Sequence, residues 1–146
     1  MSLGNVFDIA GTGMMAQSIR LNTTASNIAN AETVSSSIDE TYRARHPVFS
    51  QIHKDEMGYK FEGVDVNEDI GNGVHVMGVV ESDAPLEARY NPEHPMADEE
   101  GYVYYPNVNV VEEMANMISA SRSYQTNVDI MNTAKTMMQQ ILTLGK

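Results

Sequence analysis

The stretch from Pro106 to Lys146 constrains the fold most strongly, because it contains no proline after its first residue and carries a seven-residue repeat. Two rows of positions, separated alternately by four and three residues, fall on one helix face, which is the pattern of a coiled-coil seam. The helix would be roughly 50 Å long at about 1.5 Å per residue. One small domain has no core of that length, so we expect much of the seam to meet something else. The first row is Val110, Met117, Tyr124, Met131 and Met138, and the second is Met114, Ser121, Val128, Lys135 and Leu142.

The residues at the two ends of this stretch predict where the helix begins and ends. Asn109 can cap the first turn with its side chain, and Glu112 can reach back to the capping backbone N–H. Gly145 suits the C-terminus, because glycine readily adopts the left-handed conformation that ends many helices. We therefore expect one long helix from Asn109 to the end of the chain.

A second seven-residue repeat lies near the N-terminus. Large apolar residues form one row, and small residues, which would let a facing helix approach closely, form the other. Glycine costs up to about 1 kcal/mol relative to alanine, and the many Asn and Thr residues are also poor helix formers, so an isolated helix should be marginal. We expect this arm to be largely disordered until it finds a partner, with the C-terminal helix as the nearest candidate. The large row is Phe7, Met14, Leu21 and Ile28, and the small row is Gly11, Ser18 and Ala25.

The formal net charge of −11 lies entirely in the middle of the chain. Residues 32–106 hold 16 acidic and five basic residues, whereas residues 1–31 and 107–146 each balance to zero. Neutral arms can pack against copies of themselves without large repulsion, while a charged middle stays solvated. Nucleic-acid binding is not expected, because no basic patch is available to displace counterions.

Length and composition narrow the class of protein further. The 146 residues suggest one domain, and a hydrophobic content of 42% allows a modest core. The absence of cysteine excludes a disulfide framework and thiolate chemistry. No run approaches the ~18 apolar residues of a membrane helix. Met1–Asn5 lacks the features of a cleaved signal peptide, so we expect that the protein does not leave the cytoplasm by that route.

The middle of the chain predicts a small β-rich or extended module. Tyr59–Val66 alternates with period two, Asn72-Gly73 is a turn dipeptide and Val74–Val80 is rich in valine, which together predict a β-hairpin. Residues 31–58 are mixed in character, and the serine-rich interval at Ser35–Ser37 favours a loop. A further short strand is expected at Tyr102–Tyr105.

No constellation of side chains supports catalysis or cofactor binding. Asp65–Gly71 resembles the front of a calcium loop, but its glycine falls at position seven instead of six, and Val76 stands where a bidentate glutamate is needed. An acidic turn is the simpler interpretation, and calorimetry with Ca²⁺ would discriminate the two. The four histidines show no metal-ligand spacing, and the serines lie in no nucleophile motif. We therefore expect a protein that is not an enzyme and that has no catalytic residues, cofactor or metal.

Two motifs resemble the axial proteins of the bacterial flagellum, the family of rod, hook and hook-associated proteins. Near the start, Arg20-Leu21 followed by Ala25–Thr33 is similar to the signature of that family. Later, Tyr90–Val103 runs into Pro106–Asn109 and resembles the rod branch of the family, as does the ending Leu142–Lys146. The resemblance covers both arms and much of the middle.

The resemblance implies an α+β fold in which the N- and C-terminal helices pair as a coiled coil, with a small β-rich or extended middle module. The expected domains are a helical arm at 1–31, an acidic module at 32–106 and a C-terminal helix at 107–146. The implied function is that of a structural subunit of the proximal flagellar rod. Such a subunit is exported by the flagellar type III system with its arms unfolded and assembles into the shaft that transmits motor torque across the periplasm.

The implied partners are other flagellar rod proteins and copies of this chain, with basal-body ring and export-gate proteins as further candidates. Neither nucleic acid nor a small-molecule substrate is expected. The alternative from another class is a soluble helical binding module or an export chaperone. A chaperone should be folded on its own and should not carry polar, small-residue arms.

The resemblance and the two repeats together predict an assembly interface. Asn27, Asn30 and Thr33 belong to the signature at the end of the first arm, where Asn side chains can bond backbone at a helix end. Four residues of the C-terminal row, from Val110 to Met131, would face the partner helix. The expected interface comprises Phe7, Met14, Leu21, Asn27, Ile28, Asn30, Val110, Met114, Met117, Tyr124, Val128, Met131, Met138 and Leu142.

Overall fold

In the part of the chain that the structure describes, four short strands lie between two long helices. The computed structural model describes residues 3–52 and 73–144. This arrangement confirms the predicted α+β fold class, with helices at both ends and small antiparallel sheets in the middle. Within the two described ranges, no helix is long and apolar enough to cross a membrane. The elements are α1 (Leu3–Asn30), β1 (Arg45–Gln51), β2 (Val74–Glu81), β3 (Glu87–Tyr90), β4 (Tyr102–Tyr105) and α2 (Val110–Leu144).

Asn109 caps the start of α2 as the sequence predicts, whereas the predicted return bond from the Glu112 side chain to the Asn109 N–H is not formed. Asn109 Oδ1 accepts hydrogen bonds from the backbone N–H groups of Val111 at 3.1 Å and Glu112 at 3.4 Å. These bonds satisfy two of the four N–H groups that a helix leaves unpaired in its first turn. Glu112 and Glu113 also place negative charge at the positive end of the helix.

The two helices pack side by side in opposite directions to form a helical hairpin. Arg20 Nη2 donates to Asn116 Oδ1 at 2.7 Å, and Gly13 lies against Asn127, whose Nδ2 would be 3.0 Å from a Cβ added at Gly13. The 28 residues of α1 span about 42 Å and the 35 residues of α2 about 52 Å. The end of α2 therefore extends past the start of α1, and residues 135–143 are all exposed.

The row of α2 residues that faces α1 differs from the row predicted from the sequence. Ala120 and Ala134 are buried, and Asn127, seven residues from each, meets Gly13 of α1. This row runs one position before the predicted second row, which carries larger side chains. Four members of the predicted row are exposed, namely Met114, Ser121, Lys135 and Leu142.

The inward row of α1 differs in the same way. Ala10 and Ala16 are buried on either side of Gly13, so small residues do permit the close approach that the sequence predicts. The predicted small row, Gly11, Ser18 and Ala25, does not face α2. Ser18 and Ala25 are exposed, and a Cβ added at Gly11 would meet nothing within 4 Å. The surface between α1 and α2 is called the seam, and the residues that line it are called the contact rows.

β1 and β2 form an antiparallel sheet whose register runs from Arg45↔Glu81 to Gln51↔Val74. The strand predicted at Val74–Val80 is therefore confirmed, but in the described part of the chain its partner is β1. No strand is predicted from the sequence at β1, where Pro47 weakens the strand signal because proline within a run argues against a strand. The other predicted strand, Tyr59–Val66, and the acidic turn at Asp65–Gly71 lie outside the described residues.

β3 and β4 form a second antiparallel pair, which confirms the strand predicted at Tyr102–Tyr105. Val103 on β4 is 1% exposed and is the largest apolar side chain that is fully buried in the described ranges. Ser35 exchanges two backbone hydrogen bonds with Tyr104, which brings the segment after α1 onto this sheet. The core of the middle module is thus small, as expected for so few residues.

Candidate assembly interface

Asn27 on α1 binds the first residue of β1 and is completely buried. Its Nδ2 donates to the Arg45 carbonyl at 2.9 Å, and its Oδ1 accepts from the Arg45 backbone N–H at 2.9 Å and from the Tyr42 hydroxyl at 2.8 Å. One side-chain amide therefore makes the pair of hydrogen bonds that a neighbouring strand would make. This corrects the role predicted for Asn27, which bonds a strand and not the end of its own helix.

Asn107, in the segment between β4 and α2, binds Ala44, the residue that precedes Arg45. Its Oδ1 accepts from the Ala44 backbone N–H at 2.8 Å, and its Nδ2 donates to the carbonyls of Ser82 at 3.2 Å and Ala84 at 2.8 Å. Arg43 Nη1 donates to the same two carbonyls at 3.2 and 3.4 Å. The start of β1 and the end of β2 are thereby tied to the base of α2.

The two motifs that carry the family resemblance therefore meet in space. One contributes Asn27 and the other Asn107, and they hold the adjacent residues Arg45 and Ala44. At the opposite end of the sheet, the Val74 backbone N–H donates to Thr12 Oγ1 at 3.2 Å. The sheet is held at both ends along α1, which fixes its orientation relative to the helical hairpin.

Polar side chains occupy much of the seam. Within the described residues, Gln17 Oε1 is buried without a hydrogen-bond partner, and Glu113 is only 4% exposed. An unpaired buried acceptor costs about 1–3 kcal/mol, and a typical satisfied polar pair contributes only about 1 kcal/mol. The interior of the hairpin therefore stabilises it weakly, which supports the expectation that the arms need further partners.

Large apolar side chains lie beside the seam, on one side of the hairpin. On each helix, the position one residue after a contact-row residue is rotated by about 100° about the helix axis, away from the seam. Because the two helices run in opposite directions, these positions on both helices lie on the same side of the hairpin. On the other side of α1, Thr12 binds Val74 of β2, and Ser26 binds Tyr42 in the segment before β1. Thr12 and Ser26 precede Gly13 and Asn27 by one residue. We call the free side the apolar face. It comprises Phe7, Met14, Leu21, Ile28, Val110, Met114 and Val128, with Met117, Tyr124 and Met131 at its border with the seam.

The remaining residues of the predicted interface lie at the two ends of the hairpin. Met138 and Leu142 are in the last turns of α2, beyond the start of α1, and are exposed. Asn30 Nδ2 donates to the Ser26 carbonyl at 2.8 Å, and Thr33 Oγ1 donates to the Asn30 carbonyl at 2.7 Å. Asn30 and Thr33 thus close the end of α1, as the sequence predicts.

A single carboxylate organises the turn before β4. Asp98 Oδ1 accepts from the backbone N–H groups of Glu100 at 2.9 Å and Tyr102 at 2.8 Å, and Tyr104 donates its hydroxyl to Oδ2 at 3.3 Å. These hydrogen bonds, that of the Tyr102 N–H above all, lower the pKa of Asp98. Gly101 completes the turn with a φ of +83°, and a Cβ there would approach the Tyr90 ring to 2.9 Å.

A polar cleft of about 520 Å³ lies between the segment after α1 and the start of β1. Its two arginines are engaged, since Arg45 pairs with Glu81 at 2.9 Å and Arg43 binds backbone carbonyls. The cleft therefore offers no uncommitted arginine to an anionic ligand. Across residues 3–52 and 73–144, no group of three or more His, Asp or Glu side chains is placed to hold a metal ion.

Comparison with known proteins identifies the two helical regions separately. Residues 7–34, which contain most of α1, match the family described as flagella basal body rod protein. Residues 99–144, which contain β4 and α2, match the family described as flagellar basal body rod FlgEFG protein C-terminal. Asn27 and Asn107 lie in these two regions, so the contacts at Ala44 and Arg45 join the two family regions of the chain.

Relatives that match over their full length identify the family of this chain more specifically. The chain is 48% identical to the flagellar basal-body rod protein FlgC of Escherichia coli O157:H7 over 149 residues and to that of Salmonella typhimurium over 146 residues, covering 100% of each chain. It is 35% identical to FlgC of Borreliella burgdorferi over 149 residues, which cover 99% of this chain and 98% of the relative. These relatives are structural rod proteins and not enzymes. The chain belongs to the FlgC family of flagellar basal-body rod proteins, which are structural components of the bacterial flagellum.

Proposed function

We propose that this rod subunit is exported by the flagellar type III system and assembles through its helical hairpin into the proximal rod, where it transmits motor torque. The observation that carries the proposal is the separation of the hairpin into a small, polar seam and a large apolar face. A hairpin that stood alone would be expected to place its largest apolar side chains inside. Here Leu21 and Ile28 are only half-buried, and Met114 is exposed.

The energetics favour folding of the arms upon assembly. Complete burial of one large apolar side chain contributes about 1.5–3 kcal/mol, whereas ordering each backbone residue costs about 1–2 kcal/mol. The seam, with Ala10, Gly13 and Ala120, offers little apolar area to offset that cost. Covering the apolar face by neighbouring subunits would supply the missing burial.

The predicted interface residues take two roles in this proposal. Asn27 and Asn30 stabilise the shape of the subunit, since their side chains bond within the chain. The other twelve predicted residues are proposed to contact neighbours, either on the apolar face and its border or at the end of α2. Other rod components are the partners expected for a rod protein, and we propose copies of this chain, basal-body ring proteins and the export gate as further neighbours.

The experiment that tests the function places a charge on the apolar face. Leu21→Asp should leave the protein exported and absent from purified basal bodies, because a carboxylate would be buried between subunits. Asn22→Asp, at the next position and exposed, is the matched control and should assemble. Accumulation of the wild-type chain in the cytoplasm, bound to an export substrate, would instead favour a chaperone.

A further inference from the structure

One face of the sheet formed by β3 and β4 carries three tyrosines. Tyr90 and Tyr102 are paired across the two strands, and Tyr104 lies two positions after Tyr102 on β4, so all three side chains are on the same face. The opposite face carries Val103, which is buried in the core of the middle module. We call the face that bears the three tyrosines the tyrosine face. Tyr90 is 67% exposed on it and Tyr102 is 39% exposed.

The rings of Tyr90 and Tyr102 are held in a defined arrangement. Their centroids are 5.4 Å apart and their planes meet at 65°, which is an edge-to-face contact. Gly101 lets the turn before β4 approach closely, since a Cβ there would lie 2.9 Å from the Tyr90 ring. Two aromatic rings are therefore held in place and left largely uncovered by the described residues.

The tyrosine face lies in the negatively charged part of the protein. Residues 32–106 hold 16 acidic and five basic residues. Desolvation, followed by the negative charges of Asp98 and Glu100, raises the pKa of the Tyr104 hydroxyl, so both carboxylates act on this face. The face of an aromatic ring is itself negative because of the ring quadrupole, so rings and carboxylates together attract a cation.

The arginines of the middle module are already engaged elsewhere. Arg89 Cζ lies 4.4 Å from the centroid of the Tyr105 ring, and Arg45 Cζ lies 5.5 Å from that of Tyr42. Arg43 donates to backbone carbonyls. Within the described ranges, no arginine lies over the rings of the tyrosine face. An arginine that stacks there must therefore come from another molecule.

We infer that the tyrosine face binds an arginine in a basic segment of a different protein of the basal body. The inference rests on the proposed function and adds a second interaction surface, outside the helical hairpin, with the chemistry of its partner. Arginine fits better than lysine, because its planar guanidinium stacks on a ring and still donates in its own plane to a carboxylate such as Glu100. A copy of this chain fits poorly, because its net charge of −11 lies in the same acidic middle.

Chemical labelling tests whether the tyrosine face is covered. Tetranitromethane should nitrate Tyr90 in the purified monomer and spare it in purified basal bodies, as measured by mass spectrometry. Tyr104, which is half-buried and donates its hydroxyl to Asp98, is the internal control and should react little in both states. Equal nitration of Tyr90 in monomer and basal bodies overturns the inference.

Photo-crosslinking identifies the partner. A benzoylphenylalanine at Ala88, which is exposed on the tyrosine face, should crosslink in basal bodies to an arginine-containing segment of another protein. The same amino acid at Val80, which is 56% exposed on β2, is the matched control and should give no adduct with that segment. Adducts from Ala88 with a copy of this chain, with a glycan or with a segment that lacks arginine overturn the inference, and so does the absence of adducts.

Two substitutions of Tyr90 test the chemistry of the contact. Tyr90→Phe keeps the aromatic ring and should keep the crosslinking yield from Ala88. Tyr90→Leu keeps apolar bulk without the ring and should lower the yield roughly two- to fivefold, which is the effect of one exposed cation–π contact. Equal yields in the two variants overturn the inference. Basal bodies that lack the wild-type chain contradict the proposed function itself, whereas every outcome above is measured in basal bodies that contain the chain.

Discussion

Asn27 and Asn107 hold adjacent backbone residues, Arg45 and Ala44, from the two helical ends of the chain. Each uses both atoms of its amide, so neither an acid nor an alkyl group can replace it fully. Because the sheet formed by β1 and β2 begins at this point, its position depends on α1 and on the base of α2 together. Folding of the hairpin and docking of the sheet are therefore coupled.

Loss of the Asn27 amide should release the start of β1. Asn27→Ala leaves the Arg45 N–H and carbonyl unpaired, at a cost of about 1–3 kcal/mol for each buried group that finds no water. Asn27→Asp retains an acceptor but loses the donor and places a carboxylate at a completely buried position, so it should destabilise the contact at least as much as alanine does. Hydrogen exchange of residues 42–46 in assembled rods should accelerate in Asn27→Ala.

Asn22→Ala is the control for that measurement, because Asn22 is exposed on the same helix. Its exchange at residues 42–46 should match the wild type. Equal exchange in Asn27→Ala and Asn22→Ala would mean that the amide does not hold the sheet.

Gly11 and Gly13 of α1 should respond differently to the same substitution. Gly11→Leu places its side chain in open space and raises helix propensity by up to about 1 kcal/mol, so rods should assemble normally. Gly13→Leu would push against Asn127 and force the helices apart, so motility should be lost. Swimming assays of both variants in a strain lacking the wild-type protein provide the measurement. If Gly13→Leu swims as well as Gly11→Leu, the close approach of the helices at Gly13 is not needed in the rod.

Tyr124→Asp should block rod assembly while leaving export intact. Tyr124 lies at the border of the apolar face, and burying a charge there without a partner is unfavourable. Export should persist because, in the proposed function, the arms are exported unfolded and need no assembled interface. Thr126→Asp, two positions on and roughly 160° round the helix, is an exposed control that should assemble. Immunoblots of secreted protein and of basal bodies distinguish the two steps, and normal motility of Tyr124→Asp would refute the role of this face.

The turn at Asp98 should loosen in acid. Hydrogen bonds, with that of the Tyr102 N–H first, lower the pKa of Asp98 in the folded protein. Their stabilisation is fully present above the unfolded pKa of about 3.9 and is lost as the pH falls through the lower folded value. NMR titration of the amide signals of Glu100 and Tyr102 should follow this protonation. In Asp98→Asn the acid-dependent change should disappear, and an identical titration in that variant would assign it to another group.

The sequence predicted the elements better than their contacts. The α2 cap at Asn109, the strand at Tyr102–Tyr105 and the helical character of both arms followed from local signals that act within a few residues. The seam was misplaced by one position because large apolar residues such as Met114 dominate the periodic pattern. The true contact rows contain Ala120 and Asn127, which carry little hydrophobic signal.

The contacts of Asn107 could not be predicted, because they join residues distant in sequence. Its bond to Ala44 spans 63 positions, and no spacing pattern encodes such a separation. Pro47 weakens the strand signal of β1, but the pairing with β2 overrides this local preference. Asn107 lies in the motif Pro106–Asn109, which carries the family resemblance but predicts no role or partner for this asparagine.

Hydrogen exchange on the dilute monomer and on assembled rods tests most directly whether the arms fold upon assembly. We predict fast exchange over 1–30 and 107–146 in the monomer, with protection confined to the middle, and strong protection of both arms in the rod. The difference would show that burial between subunits stabilises the hairpin. Strong protection across both arms in the monomer would contradict folding upon assembly and would favour a self-sufficient helical module.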